Sequence, residues 1–123
     1  MYQKENSFIV LYAKDIDRTR LFYEGLGFTP QEQTSEKLVV VFGSFELHFV
    51  LASSEPSSDY RYITEPPYGQ GAIFYIESDD IEASHDQVKS LGGLLKTDVF
   101  QNHWGSKEFL FEDPNGYKFA IYN

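Results

Sequence analysis

A chain of 123 residues is one domain's worth and long enough to bury a core. At 41% hydrophobic and 24% charged, it reads as a folded globule rather than a disordered segment. Its net charge of −9, with no basic run, excludes nucleic acid as a partner, since nothing is present to displace counterions from phosphates.

The acidic balance favours solubility and the approach of a cationic ligand. Cysteine is absent, so there is neither a disulfide framework nor thiol chemistry. Residues 1–7 are polar, and no apolar run has the length of a membrane span, so a soluble cytoplasmic protein is expected. Aromatics reach 17%, which suits a strand-rich core or a stacking surface for a flat ligand.

Residues 8–13 are apolar and predict a strand buried on both faces. Asp15 has the chemistry of a helix N-cap, and Ile16, Thr19, Phe22, Tyr23 and Leu26 fall on one helical face before Gly27. Residues 28–34 predict an edge strand, because Pro30 cannot donate to a ladder. Residues 38–42 and 45–51 form a hairpin across Gly43-Ser44, a loop suited to a type II′ turn. Residues 52–70, with Pro56, Pro66, Pro67, Tyr60, Tyr62 and Tyr68, read as a long connection that borders a ligand groove or covers a sheet edge.

The first half then starts again. Residues 71–77 predict a strand, and Asp80 caps a helix carrying Ile81, His85, Val88 and Leu91 on one face, ended by Gly92-Gly93. His85 reads as a core or capping histidine. Strands are expected at 94–97, 107–111 and 117–122, the last two joined by Asp113-Pro114-Asn115-Gly116. Asp15-Ile16 recurs as Asp80-Ile81 and Leu26-Gly27 as Leu91-Gly92, both at a shift of 65. The expectation is a single domain over 1–123: unit one at about 7–51, a linker at about 52–70 and unit two at about 71–123.

The stretch His103-Trp104-Gly105-Ser106-Lys107-Glu108-Phe109, followed by Asp113-Pro114-Asn115-Gly116, resembles the C-terminal signature of bleomycin resistance proteins. These belong to the glyoxalase / bleomycin resistance / dioxygenase (vicinal oxygen chelate) superfamily. The resemblance implies an α+β fold in which two tandem βαβββ units form a curved mixed sheet around a cavity. Enzymes of that superfamily hold a divalent metal on ligands from the first and last strand of each unit. Carried onto this chain, those positions are Phe8, Ile73, Ala120 and, by aligning residues 45–49 with 117–121, His48. Three of the four are carbon-only side chains, and one histidine binds a divalent ion weakly. A noncanonical site of His48, Glu46 and Glu77 is the alternative.

The expected site is therefore a metal-independent aromatic groove with no catalytic residue and no cofactor. Its walls would be Phe8, Val10, Tyr12, Ile73, Tyr75, Glu77 and His48, with Lys118 and His103 nearby. Ile9, Leu11, Phe74, Ile76, Phe119 and Ile121 would pack beneath the helices. Trp104 is either a clamp that stacks on a flat ligand or a plug sealing the open side of the sheet. The resemblance implies a homodimeric antibiotic-resistance protein that sequesters a planar cationic, bleomycin-type small molecule. A metal-dependent lyase, isomerase or dioxygenase with an atypical site is the competing expectation.

Overall fold

The computed structural model describes residues 8–54 and 64–123, and Pro56, Tyr60 and Tyr62 lie outside them. Contacts divide the chain into two compact units, Met1–Thr64 and Glu65–Asn123. The first contains β1 (Ile9–Ala13), α1 (Ile16–Gly25), β2 (Thr29–Gln33), β3 (Lys37–Phe42) and β4 (Phe45–Leu51). The second contains β5 (Phe74–Glu77), α2 (Ile81–Ser90), β6 (Leu94–Leu95), β7 (Phe100–Gln101), β8 (Lys107–Glu112) and β9 (Lys118–Tyr122). The class is α+β, with one mixed sheet per unit. Strand order is β1-β4-β3-β2 in the first, and β5-β9-β8-β6 in the second with β7 also on β8.

The helices begin and end where their chemistry requires. The Asp15 carboxylate accepts from the Arg18 N–H at 2.9 Å, and the Asp80 carboxylate from the Ala83 N–H at 3.1 Å. Both helices are closed by leucines, Leu26 and Leu91, followed by Gly27 at φ +104° and Gly92 at φ +81°. The repeat seen in the sequence is thus a repeat in space.

Strand register extends that correspondence. In the parallel pair β1–β4, Val10 stands opposite His48; in β5–β9, Tyr75 stands opposite Ala120. Val10 and Tyr75 are 65 residues apart, so His48 and Ala120 occupy corresponding places.

Period-two alternation decides which face each helix covers. In unit one, Leu38, Val40, Leu47 and Phe49 are at most 1% exposed, and Tyr23 of α1 packs its ring 4.9 Å from Phe49. In unit two, Phe109, Phe111, Phe119 and Ile121 are at most 4% exposed, as are Ile81 and Val88 of α2, and Phe111 and Phe119 stack at 5.4 Å. Each such side chain contributes roughly 1.5–3 kcal/mol on burial, which makes these faces the stabilising core of each unit.

Two expectations are corrected. β1 is not buried on both faces: Ile9 and Val10 are each 44% exposed within the described residues. β1 is an outer strand, and α1 packs chiefly over β2, β3 and β4, leaving its first residues uncovered. The second correction adds β7, which pairs with Lys107 and Glu108 of β8. A two-residue strand is too short to leave a periodic signal. The strand expected at 71–77 starts only at Phe74, and within 52–70 there is a 3₁₀ turn at Ala52–Ser54.

The β8–β9 connection is built on one carboxylate. Buried Asp113 accepts from the Asn115 N–H at 2.9 Å and the Tyr117 N–H at 2.8 Å, while Gly116 turns at φ +96°. Replacing Asp113 with Ala strands both donors, so a loss of about 1–3 kcal/mol is expected in urea unfolding. A change below about 0.5 kcal/mol would show that water satisfies them instead.

Candidate functional site

The face of the second sheet turned away from α2 carries the polar and aromatic alternates of β5, β8 and β9. Tyr75 and Tyr122 lie on it with ring centroids 5.8 Å apart and planes at 64°. Beside them, residues 102–106 form a tight loop. The Gly105 N–H donates to the Asn102 carbonyl at 3.1 Å, with Gly105 at φ +88°, and the Asn102 N–H donates to the Ser106 carbonyl at 2.8 Å. That turn holds Trp104 outward, 66% exposed, with its ring 4.3 Å from His103. Tyr75, Asn102, Trp104, Ser106 and Tyr122 line a cleft of about 400 Å³. Within this unit Trp104 lies on the rim of that cleft.

Glu108 lies behind this wall, 3% exposed. One carboxylate oxygen accepts from the Asn102 amide at 2.6 Å, and the other from the Tyr75 hydroxyl at 3.3 Å. The Asn102 side-chain oxygen in turn accepts the backbone N–H groups of Trp104 and Ser106, both at 3.0 Å. A continuous chain of bonds therefore runs from Tyr75 through Glu108 and Asn102 to the tryptophan loop. Partial burial pushes the Tyr75 phenol above its usual range; the charge of Glu108 and the bond to it push the same way. Tyr75 is accordingly a protonated donor at neutral pH.

The other expected site residues take varied places. Glu77 is exposed and stands opposite Tyr122 in register. Lys118 donates to the Gly116 carbonyl at 3.4 Å. In unit one, Phe8 is 52% exposed and stacks on His48, with centroids 3.9 Å apart and planes at 10°. His48 also meets Glu46 at 3.2 Å. Tyr12, only 5% exposed, is a core residue of its unit rather than an open wall. Within the second unit the structure gathers Trp104, His103 and Tyr75, and within the first it pairs Phe8 with His48.

Sequence reasoning missed Tyr122, Asn102, Ser106 and the buried position of Glu108. A signal existed for Glu108, since alternation puts it on the face opposite Phe109. The Asn102 bonds depend on loop geometry and left no pattern.

Other hollows are less suited to a ligand. A cleft of about 670 Å³ at the start of α1 has polar walls already bonded to one another, Arg20 to Gln33 and Gln33 to Asp17. His85 sits edge-on to Phe109 at 5.0 Å beside a cleft of about 390 Å³, as a helix-to-sheet packing residue.

The metal positions offer little. Phe8, Ile73 and Ala120 carry no donor, His48 has only Glu46 beside it, and no three His, Asp or Glu side chains converge among the described residues. A divalent ion needs three or four N or O donors, and these residues do not fit one.

Solved structures share this fold. A hypothetical protein from S. aureus has a TM-score of 0.81 at 13% identity, covering 98% of this chain and 94% of that one. A glyoxalase/bleomycin resistance protein/dioxygenase family enzyme from Burkholderia phytofirmans has a TM-score of 0.79 at 16% identity, covering 95% and 96%. A bleomycin-binding protein complexed with bleomycin has a TM-score of 0.61 at 21% identity, covering 98% of each chain. Among curated proteins no sequence matches. Residues 7–121 match the sequence pattern described as Glyoxalase/Bleomycin resistance protein/Dioxygenase, and the chain belongs to that superfamily.

Proposed function

We propose that this chain is a metal-independent small-molecule binding protein that sequesters a planar, cationic ligand, working as a homodimer in the cytoplasm and conferring resistance to a bleomycin-type compound. The observation that carries the reading is the cleft of Trp104, Tyr75 and Tyr122 backed by the buried carboxylate of Glu108. Aromatic faces give a flat ligand a large contact area, and an indole adds roughly 0.5–1.5 kcal/mol beyond area burial. The net charge of −9 favours approach of a cation over long range. The fold relative bound to bleomycin supports the ligand class. Both units belong to a single domain in this reading, and exposed Phe8, Val10 and Ile73 supply apolar surface for a second copy.

A second reading, a metal-dependent lyase, isomerase or dioxygenase of the superfamily, has one observation in its favour. Glu46 and His48 approach within 3.2 Å and present two donors on one strand face. Two donors alone bind a divalent ion weakly.

Elemental analysis of the purified protein separates the two, and less than a tenth of an equivalent of divalent metal per chain is expected. A stoichiometric ion that survives dialysis would establish the enzyme reading.

Trp104 is the sole tryptophan, so its emission reports on the cleft directly. Titration with bleomycin should quench it saturably. Trp104→Ala, followed by calorimetry, should weaken binding about five- to tenfold, equivalent to roughly 1–1.4 kcal/mol. The melting temperature should stay nearly unchanged, because a residue 66% exposed contributes within about 0.5 kcal/mol to folding. A large drop in melting temperature would assign Trp104 a sealing role instead.

A further inference from the structure

Three ring systems line the cleft of the second unit, and the two tyrosine rings among them are not parallel. Tyr75 and Tyr122 meet at 64°, close to edge-on, with Trp104 on the rim. Edge-to-face rings 5.8 Å apart touch each other, and a compact positive charge is drawn to the ring faces left open to the cleft. Stacking on a planar body needs one open ring face, which the exposed Trp104 ring on the rim supplies.

The charge of Glu108 acts in the same sense. Its two hydrogen bonds come from neutral donors, the Asn102 amide and the Tyr75 hydroxyl, and no ion pair of the described residues includes it. A carboxylate 3% exposed with no cation beside it is costly to bury, and a positive group on the cleft side lowers that cost. Exposed Glu77, in register with Tyr122, adds a second negative charge on the same sheet face.

The lining also discriminates between kinds of cation. The Asn102 amide is directed at Glu108, and its oxygen already accepts two backbone N–H groups. The Glu108 oxygens lie behind the wall. A primary ammonium or a guanidinium entering here exchanges its hydrogen bonds to water for, at most, the hydroxyl oxygens of Ser106 and the two tyrosines. An ammonium carrying alkyl groups in place of N–H has none to lose, and its methyl groups pack on the rings.

We propose that the cleft formed by Trp104, Tyr75 and Tyr122 over Glu108 is an aromatic cage for an alkylated ammonium head group. This rests on the small-molecule-binding reading above and narrows it: the cleft reads the charged head of the ligand, and a planar body lies outside it.

Titration of the full chain, followed by Trp104 emission, tests this with three probes. These are choline, its neutral carbon isostere 3,3-dimethylbutan-1-ol, and a planar acridinium dye. Choline should bind at least about fivefold more tightly than the isostere, as expected for a cation–π contact in a partly desolvated site. Glu108→Gln should weaken choline about fivefold or more and leave the isostere unchanged. Should that variant fail to fold, Trp104→Leu keeps the apolar bulk without the ring and should erase the preference for choline, read by calorimetry. Equal affinity for choline and its isostere overturns the cage, as does binding of choline that is indifferent to both substitutions. Quenching by the dye alone overturns the cage but leaves the proposed function standing; no response to any probe removes both.

Discussion

The cleft of the second unit is arranged around the buried carboxylate of Glu108. Glu108 sits near the start of β8, where alternation turns Phe109 toward the helix and leaves the carboxylate on the other face. A charge so placed must be satisfied by nearby donors, and the fold supplies two from distant parts of the unit, Tyr75 on β5 and Asn102 after β7. Those bonds set where the phenol of Tyr75 and the loop carrying Trp104 come to rest. Wall and rim of the cleft are therefore consequences of one desolvated carboxylate. The cost of burying it is offset by the apolar layer of Phe109, Phe111, Phe119 and Ile121 on the opposite face.

The two units show how one scaffold separates packing from chemistry. Their helix-facing sides are alike: apolar, nearly fully buried and closed by an aspartate cap and a leucine-glycine end. Their other faces have diverged. At corresponding places, unit one holds His48 under the ring of Phe8, and unit two holds Ala120 with no side chain beyond a methyl. What a superfamily member does is decided on this face, residue by residue, while the fold stays the same.

Most of the fold was legible because it rests on local chemistry. Asp15 and Asp80 announce helix starts, Gly27 and Gly92 announce ends, and Pro30 marks an edge strand, each through a backbone constraint that acts within a few residues. Alternation in β8 and β9 was equally plain. β7 was not, since Phe100 and Gln101 pair only because the loop returns them to β8. The beginning of β1 misled, since apolar composition predicts burial, but helix cover decides it. At the site, Trp104 and Tyr75 stood out as aromatic residues near a turn and on a strand. Asn102 did not, because its importance lies in joining a loop to a carboxylate six residues on, a relation that no spacing rule encodes.

Gly69 has a consequence for how such a chain can change over time. It adopts φ +65°, and a side chain there would come within 2.5 Å of the ring of Tyr117. Tyr68, next to it, is 4% exposed and stacks on that same ring. The second unit is thus fastened at its entrance by contacts with its own last hairpin, before β5 begins. A side chain at 69 would push Tyr117 out of that stack, so position 69 stays a glycine while other positions change.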